Sequence, residues 1–352
     1  MKKIELFLTL SVLLGVFSSC TTDVDIYAEY KDIAVVFAML NPRADTNFVK
    51  ITRAFCGTND NHINANEVAL IADSCNYPDK LDVRLIELKN SFGGPYEPTN
   101  RVIVLDTLTI HNKEEGTFYA PHQLVYYTTE QLNAGTSGDK YRYQLFIKKP
   151  DGDTITAQTN MVGNEDFSIV TSSANFQIKH TDAKGKILFR ADGAASLYDI
   201  RMQFNYREEY VGQETKFKSV SYTFGTKSLD LYPKVENTEN TYYQEYSLNW
   251  LFNALADAIG DDTIVNPNHP HVVRYNDDFV ISISAGGDEL NQYYIAHQAQ
   301  QNSPLTLIST YTNIKGGYGL FSSRTSISKE MRLTSSALRD LYGKESWGFK
   351  GH

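Results

Sequence analysis

A glycine-rich run near the C-terminal end holds residue types that could bind a phosphate group. In TYTNIKGGYGLFSS, Gly316, Gly317 and Gly319 fall within four positions, and Lys315 comes directly before them. A phosphate loop needs backbone N–H groups at the start of a helix and, in P-loop proteins, a Gly-Lys-Ser/Thr ending. Here the lysine precedes the glycines and Leu320-Phe321 follows them. The pattern therefore predicts a glycine-rich bend that enters a strand.

The start of the chain carries a basic end, an apolar run and then a cysteine. Two lysines precede the run from Leu6 to Phe17, which is shorter than the about 20 residues of a membrane span. This order predicts a secretory signal over residues 1–19. The following stretch VFSSC resembles the lipobox of bacterial lipoproteins, although an ordinary cleavage site is the alternative. The resemblance implies acylation of Cys20 and an N-terminal lipid anchor.

The residues after this cysteine bear on where the anchor lies. Residues 20–32 are expected to form a linker, and Asp23 and Asp25 stand close behind Cys20. Acidic residues at this place resemble the signal that sends lipoproteins of Bacteroidota to the cell surface. The resemblance implies a lipid-anchored protein of the outer membrane, exposed on the cell surface.

Cys56 and Cys75 are the remaining cysteines, and they flank a polar, Asn-rich stretch. An even pair in an exported protein predicts a disulfide that closes this loop. A calcium loop is the alternative for Asp60, Asn64 and Asn66, but the glycine and final glutamate of that pattern are missing. We therefore predict a disulfide and no metal site.

Composition and motifs narrow the classes of function. The 352 residues carry a net charge of −9 without a basic cluster, which argues against nucleic acid as a partner. Neither a G-x-S-x-G elbow nor an H-E-x-x-H helix occurs. His269 and His271 form the one close histidine pair, and paired acids such as Glu208-Glu209 are typical of solvated faces. We predict no catalytic residues, no cofactor and no enzyme activity.

Hydrophobic residues alternate in twos over much of the chain, for example from Tyr141 to Ile147 and from Ile200 to Tyr206. This period predicts half-buried strands and a mainly β fold. We predict an immunoglobulin-like β-sandwich over 33–164, in which Tyr143 resembles a tyrosine corner, and a β-rich C-terminal domain over 165–352. Helical periodicity predicts a few helices in the second domain, within SLNWLFNALADAIGDD, DELNQYYIAHQAQQ and SSALRDLYGK.

Aromatic residues offer the other candidate binding surface. Tyr242, Tyr243 and Trp250 cluster at and before the first of these helices, and aromatic faces stack on sugars and other flat ligands. Burial in strand rims and helix seams is the alternative for each of them. They are weak candidates for ligand binding.

The chain resembles a family of Bacteroidota surface lipoproteins, the domain of unknown function 4249 (DUF4249). The resemblance rests on TNIKGGYGLFSS, on the lipobox at Cys20, on IAVVFAMLNPRADTNFVKITRAF and on YRYQLFIKKPDGDTITAQT. It implies a non-enzymatic accessory or ligand-binding partner of a TonB-dependent outer-membrane receptor in nutrient uptake. A structural or adhesive subunit of a surface assembly is the alternative. The family supplies no catalytic residues.

Overall fold

The computed structural model describes residues 31–54, 65–116, 118–120, 122–136, 138–174, 176–179, 181–210, 212–259, 272–302 and 311–351. Strands greatly outnumber helices in these ranges, and the strands form several sheets. The mainly β class predicted from the alternating pattern is therefore confirmed.

The strands of the N-terminal half are β1 (Ala34–Leu40), β2 (Asn47–Arg53), β3 (Asp82–Ser91), β4 (Glu97–Val104), β5 (Asp106–Ile110), β6 (Gln123–Thr128), β7 (Asp139–Lys148) and β8 (Thr154–Asn160). Those of the C-terminal half are β9 (Ser168–Ile169), β10 (Lys184–Arg190), β11 (Ala195–Tyr210), β12 (Lys216–Ser228), β13 (Thr241–Ser247), β14 (Val272–Gly287), β15 (Gly317–Met331) and β16 (Phe349–Lys350).

Within the described ranges, five α-helices join these strands: α1 (Ala65–Val68), α2 (Ala72–Cys75), α3 (Trp250–Ile259), α4 (Asp288–Asn302) and α5 (Ser335–Tyr342). The last three lie where the helical periodicity predicts them. The side chain of Thr334 caps α5 by accepting a hydrogen bond from the backbone N–H of Ala337. Among the described helices, none is both long and apolar enough to cross a bilayer.

The N-terminal half is a sandwich of two sheets. The first sheet runs β12-β11-β14-β15-β1-β2-β6-β5, and the second runs β4-β3-β7-β8. Val36 and Val49 from the first sheet share one buried cluster with Leu85 and Leu145 from the second. Since both inner faces contribute to a single core, the sheets pack face to face, and the predicted sandwich is confirmed.

Tyr143 joins the two sides of this core. Its buried hydroxyl accepts a hydrogen bond from the backbone N–H of Asn133 at 2.9 Å, a residue upstream in the chain, as a tyrosine corner does. The same hydroxyl donates to the carboxylate of Glu87 at 2.6 Å. The immunoglobulin-like assignment of this sandwich stays a prediction.

The C-terminal half has a second core. The long strands β11 and β14 bring Ile200 and Ile281 against Phe189 of the three-stranded sheet β13-β10-β9. Helix α3 covers this core with Leu251 and Leu255, both completely buried. The apolar stripe that predicts the helix is therefore the stripe that the core buries.

The glycine-rich run contacts three strands, since its glycines begin β15 beside β1 and the preceding Lys315 forms a β-bridge with Thr156 of β8. Gly316 has a φ of +82°, and β15 begins at the next residue. Gly319 lies opposite Val36 in the parallel pairing of β15 with β1, with a φ of +118°. A Cβ at Gly319 would stand 1.9 Å from the carbonyl oxygen of Val36, so only glycine fits. The predicted bend and strand are present, and the run is a structural junction.

The two halves share strand β15. Its Phe321 belongs to the N-terminal core, and its Met331 belongs to the C-terminal core. The side chain of Asn313 brackets Phe321, because it accepts from the backbone N–H at 3.0 Å and donates to the backbone carbonyl at 2.7 Å. The domain boundary after residue 164 stays a prediction, but the C-terminal half supplies a strand to the N-terminal sheet.

Candidate ligand-binding cavity

A cavity of about 420 Å³ lies on the outer face of β1 and β2. Val36, Ala38 and Leu40 point into the core, so the alternate residues of β1 point outward. Val35 and Phe37 therefore form one part of the cavity floor. Across the antiparallel pairing, Thr52 lies opposite Val35 and Lys50 lies opposite Phe37. These four residues form the floor.

The connection between β5 and β6 forms another wall of the cavity. It contributes Lys113, Phe118, Tyr119 and His122, and the end of α2 adds Cys75 and Asn76. The backbone N–H of Tyr119 donates to the carbonyl of Ala69 at 2.7 Å, which holds this wall against the turn after α1. Phe37 and Phe118, which are 118 − 37 = 81 positions apart in the chain, thus line the same cavity.

Basic groups converge on this cavity. Lys50, Arg53, Lys113 and His122 line it, and none of its described lining residues carries a carboxylate. Burial lowers the pKa of Lys50, and the positive charge of Lys113 lowers it further. The ammonium of Lys113 donates to the backbone carbonyl of Tyr119. The cavity therefore presents two neighbouring ammonium groups.

Arg53, at the rim of the cavity, contacts protein groups outside the cavity lining. Its guanidinium pairs with the carboxylate of Asp32 at 3.1 Å and lies 5.5 Å from the ring centroid of Tyr77. Asp32 also pairs with the buried ammonium of Lys149 at 3.1 Å. These ion pairs dock the beginning of the described chain beside the cavity.

A pair of histidines lies at the cavity's edge. The Nδ1 atoms of His111 and His122 are 2.7 Å apart, so one ring donates a hydrogen bond and the other accepts it. Two imidazoles alone do not complete a typical zinc site. Across the described ranges, no group of three or more His, Cys, Asp or Glu side chains is placed to hold a metal ion.

Two further cavities lie elsewhere. One of about 800 Å³ runs along β11 and β12 and is more open to solvent, with Lys218 and Asp277 in its lining. Another of about 650 Å³ is lined by polar residues, among them Asp166 and Arg190. Small-molecule sites combine apolar walls with a few polar groups, and the cavity on β1 and β2 fits that description best.

The aromatic candidates from the sequence lie far from this cavity in the chain and do not form one surface. Tyr242 stacks on Phe189 at the C-terminal core, with ring centroids 6.1 Å apart. The ring of Tyr243 contacts the ammonium of Lys186 at 3.9 Å. Trp250 is 5% exposed and packs near Phe279 in the core. Trp250 therefore has the buried, structural role that was the alternative.

The cysteines differ from the prediction where the structure describes them. Cys75 is a free, buried thiol, and the described residues include no disulfide. Its Sγ–H donates to the carbonyl oxygen of Ala69 at 3.1 Å, so the local turn around α2 satisfies the thiol. The expected partner Cys56 and the expected acylation site Cys20 lie outside the described residues.

The basic cavity residues were missed at the sequence level. An outward-facing phenylalanine opposite a lysine on neighbouring strands was the available signal, since Phe37 and Lys50 lie within the segment that predicts a strand pair. No local pattern indicates that Lys113 and Phe118 return to this face. That proximity depends on the path of the connection between β5 and β6.

Comparison with known proteins adds no relative. No family model matches the chain, and no curated protein matches it. The resemblance to the DUF4249 family therefore stays a prediction, carried by the residues quoted for it.

Proposed function

We propose that this protein is a non-enzymatic, lipid-anchored protein of the outer membrane that binds a small ligand for a TonB-dependent nutrient transporter. The observation that carries the proposal is the cavity on β1 and β2. Its volume of about 420 Å³ lies within the range typical of small-molecule sites, about 300–1,000 Å³. Its walls combine the aromatic side chains of Phe37 and Phe118 with a few convergent polar groups.

The position of the cavity relative to the proposed anchor supports this function. Asp32 is held at the rim through Arg53, and Cys20 precedes it by about a dozen residues. An extended chain spans at most about 3.5 Å per residue, so the cavity lies within roughly 40 Å of an acylated Cys20. A ligand bound there stays close to the membrane surface and to any receptor in it.

The chemistry of the lining supports binding over catalysis. Nucleophilic catalysis needs a nucleophile within hydrogen-bond reach of a base. The thiol in the lining, Cys75, donates to the backbone carbonyl of Ala69 instead of a histidine. The family resemblance supports the same non-enzymatic role and a receptor as the partner.

Membrane attachment and receptor association are testable together. We expect the native protein to fractionate with outer membranes and to co-purify with a β-barrel receptor in mild detergent. A Cys20→Ala variant should be released to the soluble fraction, and a Cys75→Ala variant should stay with the membrane as the matched control. Membrane retention of Cys20→Ala, or no acyl mass on the processed N-terminus, would contradict the anchor. Repeated recovery as a free monomer would contradict the receptor.

A structural role in a surface assembly is the second candidate, and strand β12 favours it. This 13-residue strand is at the end of the strand order of its sheet, and it exposes Phe217 and Tyr222. An unpaired edge is a template for a strand from another chain. Polymers on native gels that disappear in a Phe217→Lys variant would favour this candidate over ligand capture.

A further inference from the structure

We propose that the cavity on β1 and β2 selects a small organic anion with an apolar body. The acidic group would lie between the ammonium groups of Lys50 and Lys113, and the apolar body would lie against Phe37 and Phe118. This inference rests on the proposed ligand-binding function and names the chemical class of its ligand.

Uncompensated positive charge is the first support. In the part of the chain that the structure describes, Lys50 forms no ion pair, while Lys113 lies close enough to disfavour its charge. Lys113 comes from the connection between β5 and β6, as does the imidazole of His122. The carboxylate of Asp32, which pairs with the lining residue Arg53, is already shared with Lys149. An anion between the two lysines would relieve their repulsion.

Exposed aromatic surface is the second support. Phe37 is 40% exposed and Phe118 is 54% exposed, and both line the cavity. Val35 continues the apolar floor next to Phe37. A ring in contact with these side chains would remove apolar surface from water. The positive charge thus recognises the acidic end of the ligand, and the apolar side chains recognise its other end.

The volume limits the size of this ligand. A cavity of about 420 Å³ lies in the lower part of the range of small-molecule sites, about 300–1,000 Å³. That space suits an acid with one or two rings and is too small for a large oligosaccharide. We therefore take a free, soluble aromatic acid as the occupant, and a lipid headgroup becomes an outcome of the test.

The test compares two probes that share one ring system, of which one carries a negative charge and the other is neutral. Calorimetry at pH 7 and low salt would measure binding of 2-naphthoate and of its neutral counterpart 2-naphthamide to the mature full-length chain carrying Cys20→Ser. We expect 2-naphthoate to bind at least about tenfold more tightly, since a charged hydrogen bond contributes about 1.5–3 kcal/mol and 1.4 kcal/mol is tenfold. Raising the salt concentration should weaken the naphthoate alone.

Matched variants locate the effect. Lys50→Met and Lys113→Met keep the length of the side chain and should each weaken naphthoate binding by about 10- to 100-fold without changing amide binding. Lys148→Met removes an exposed lysine from the opposite sheet and should change neither. Phe37→Ala should weaken both probes. Circular dichroism of each variant shows whether the fold is intact.

The possible results separate the two proposals. Equal binding of acid and amide, both lost in Phe37→Ala, would overturn the anionic class and leave the ligand-binding function standing. Displacement of 2-naphthoate by phosphatidylglycerol vesicles, but not by phosphatidylcholine vesicles, would overturn the soluble acid in favour of a lipid headgroup. Failure of both probes to bind would overturn the ligand class and the cavity's role in the proposed function together.

Discussion

Replacing Gly319 by alanine should destabilise the pairing of β1 with β15, the strand that the two halves of the structure share. Gly319 lies opposite Val36 in the β1–β15 pairing, and an added Cβ would stand 1.9 Å from the Val36 carbonyl oxygen. Ordinary van der Waals contact begins near 3.4 Å, so β1 would have to move by about 1.5 Å. Gly152 provides the matched control, because its φ is +94° and a Cβ there meets no atom within 4 Å.

Both substitutions carry the cost of a positive φ, but only Gly319→Ala also carries the cost of a steric clash. Both place an L-residue at positive φ, which costs about 1–2 kcal/mol. Gly319→Ala adds overpacking of about 1–3 kcal/mol and strains the strand pairing, whose backbone hydrogen bonds contribute about 1 kcal/mol each. We expect Gly152→Ala to lower the free energy of unfolding by about 1–2 kcal/mol, and Gly319→Ala by about 3–6 kcal/mol.

Urea unfolding followed by far-UV circular dichroism would measure both variants. The midpoint multiplied by the slope of the linear dependence on urea yields each free energy of unfolding. If Gly319→Ala lost no more stability than Gly152→Ala, the close approach of β15 to β1 would be refuted as the reason for this glycine.

Three further predictions concern buried or half-buried titratable groups. Burial alone would raise the pKa of Glu87, but hydrogen bonds from Tyr143, Asn133 and Thr99, with the charge of Arg101, lower it overall. Its stabilisation is therefore present above about pH 4.3 and is lost as pH falls, and Glu87→Gln should cost about 2 kcal/mol at pH 7 and much less in acid. Burial raises the pKa of Glu289, which accepts from Thr159 at 2.8 Å. The contribution of Glu289 to the free energy of unfolding is present below about pH 4.3 and is lost as pH rises. The stability of Glu289→Gln should therefore increase relative to that of wild type as pH rises. In Cys56→Ser protein without residues 1–20, Cys75 should react with a thiol reagent slowly when folded and rapidly in urea, because its Sγ is buried and bonded to Ala69.

Each of these has an outcome that contradicts it. Unfolding curves between pH 3 and pH 8 test the carboxylates, and parallel pH profiles for Glu87→Gln and wild type would remove the lowered pKa as a source of stability. If the stability of Glu289→Gln relative to wild type does not change with pH, the raised pKa of Glu289 is likewise excluded as a cause of pH-dependent stability. Equal labelling rates of Cys75 in folded and unfolded protein would show that the thiol is accessible.

Much of the fold follows from local pattern. Alternating side chains from Tyr141 to Ile147 and from Ile200 to Tyr206 predict strands, and these segments lie in β7 and β11. The apolar stripe of α3 predicts its buried face. These predictions succeed because side-chain direction repeats every two residues in a strand and about every 3.6 in a helix.

The candidate site is a different case, since its residues come from distant segments. In the local sequence, Lys50 is an ordinary outward-facing lysine on a strand. The connection between β5 and β6 places Lys113 in the same cavity, near enough to affect the charge of Lys50. The disulfide prediction depended on cysteine count and compartment, and the structure instead satisfies Cys75 within its own turn. Trp250 was a candidate for ligand binding because it is aromatic and lies near other aromatic residues in the sequence. In the structure it is buried in the core.

Local patterns are enough to predict the mainly β class, three helices and the bend at the glycine-rich run, because each depends on side chains close together in the chain. Long-range packing placed Gly319 where β1 approaches and made β15 part of both cores. It also brought Lys50 and Lys113 into one cavity that Phe37 lines. Pairing between distant strands and the path of a connection depend on which surfaces the whole chain can bury together, and no local period encodes that choice.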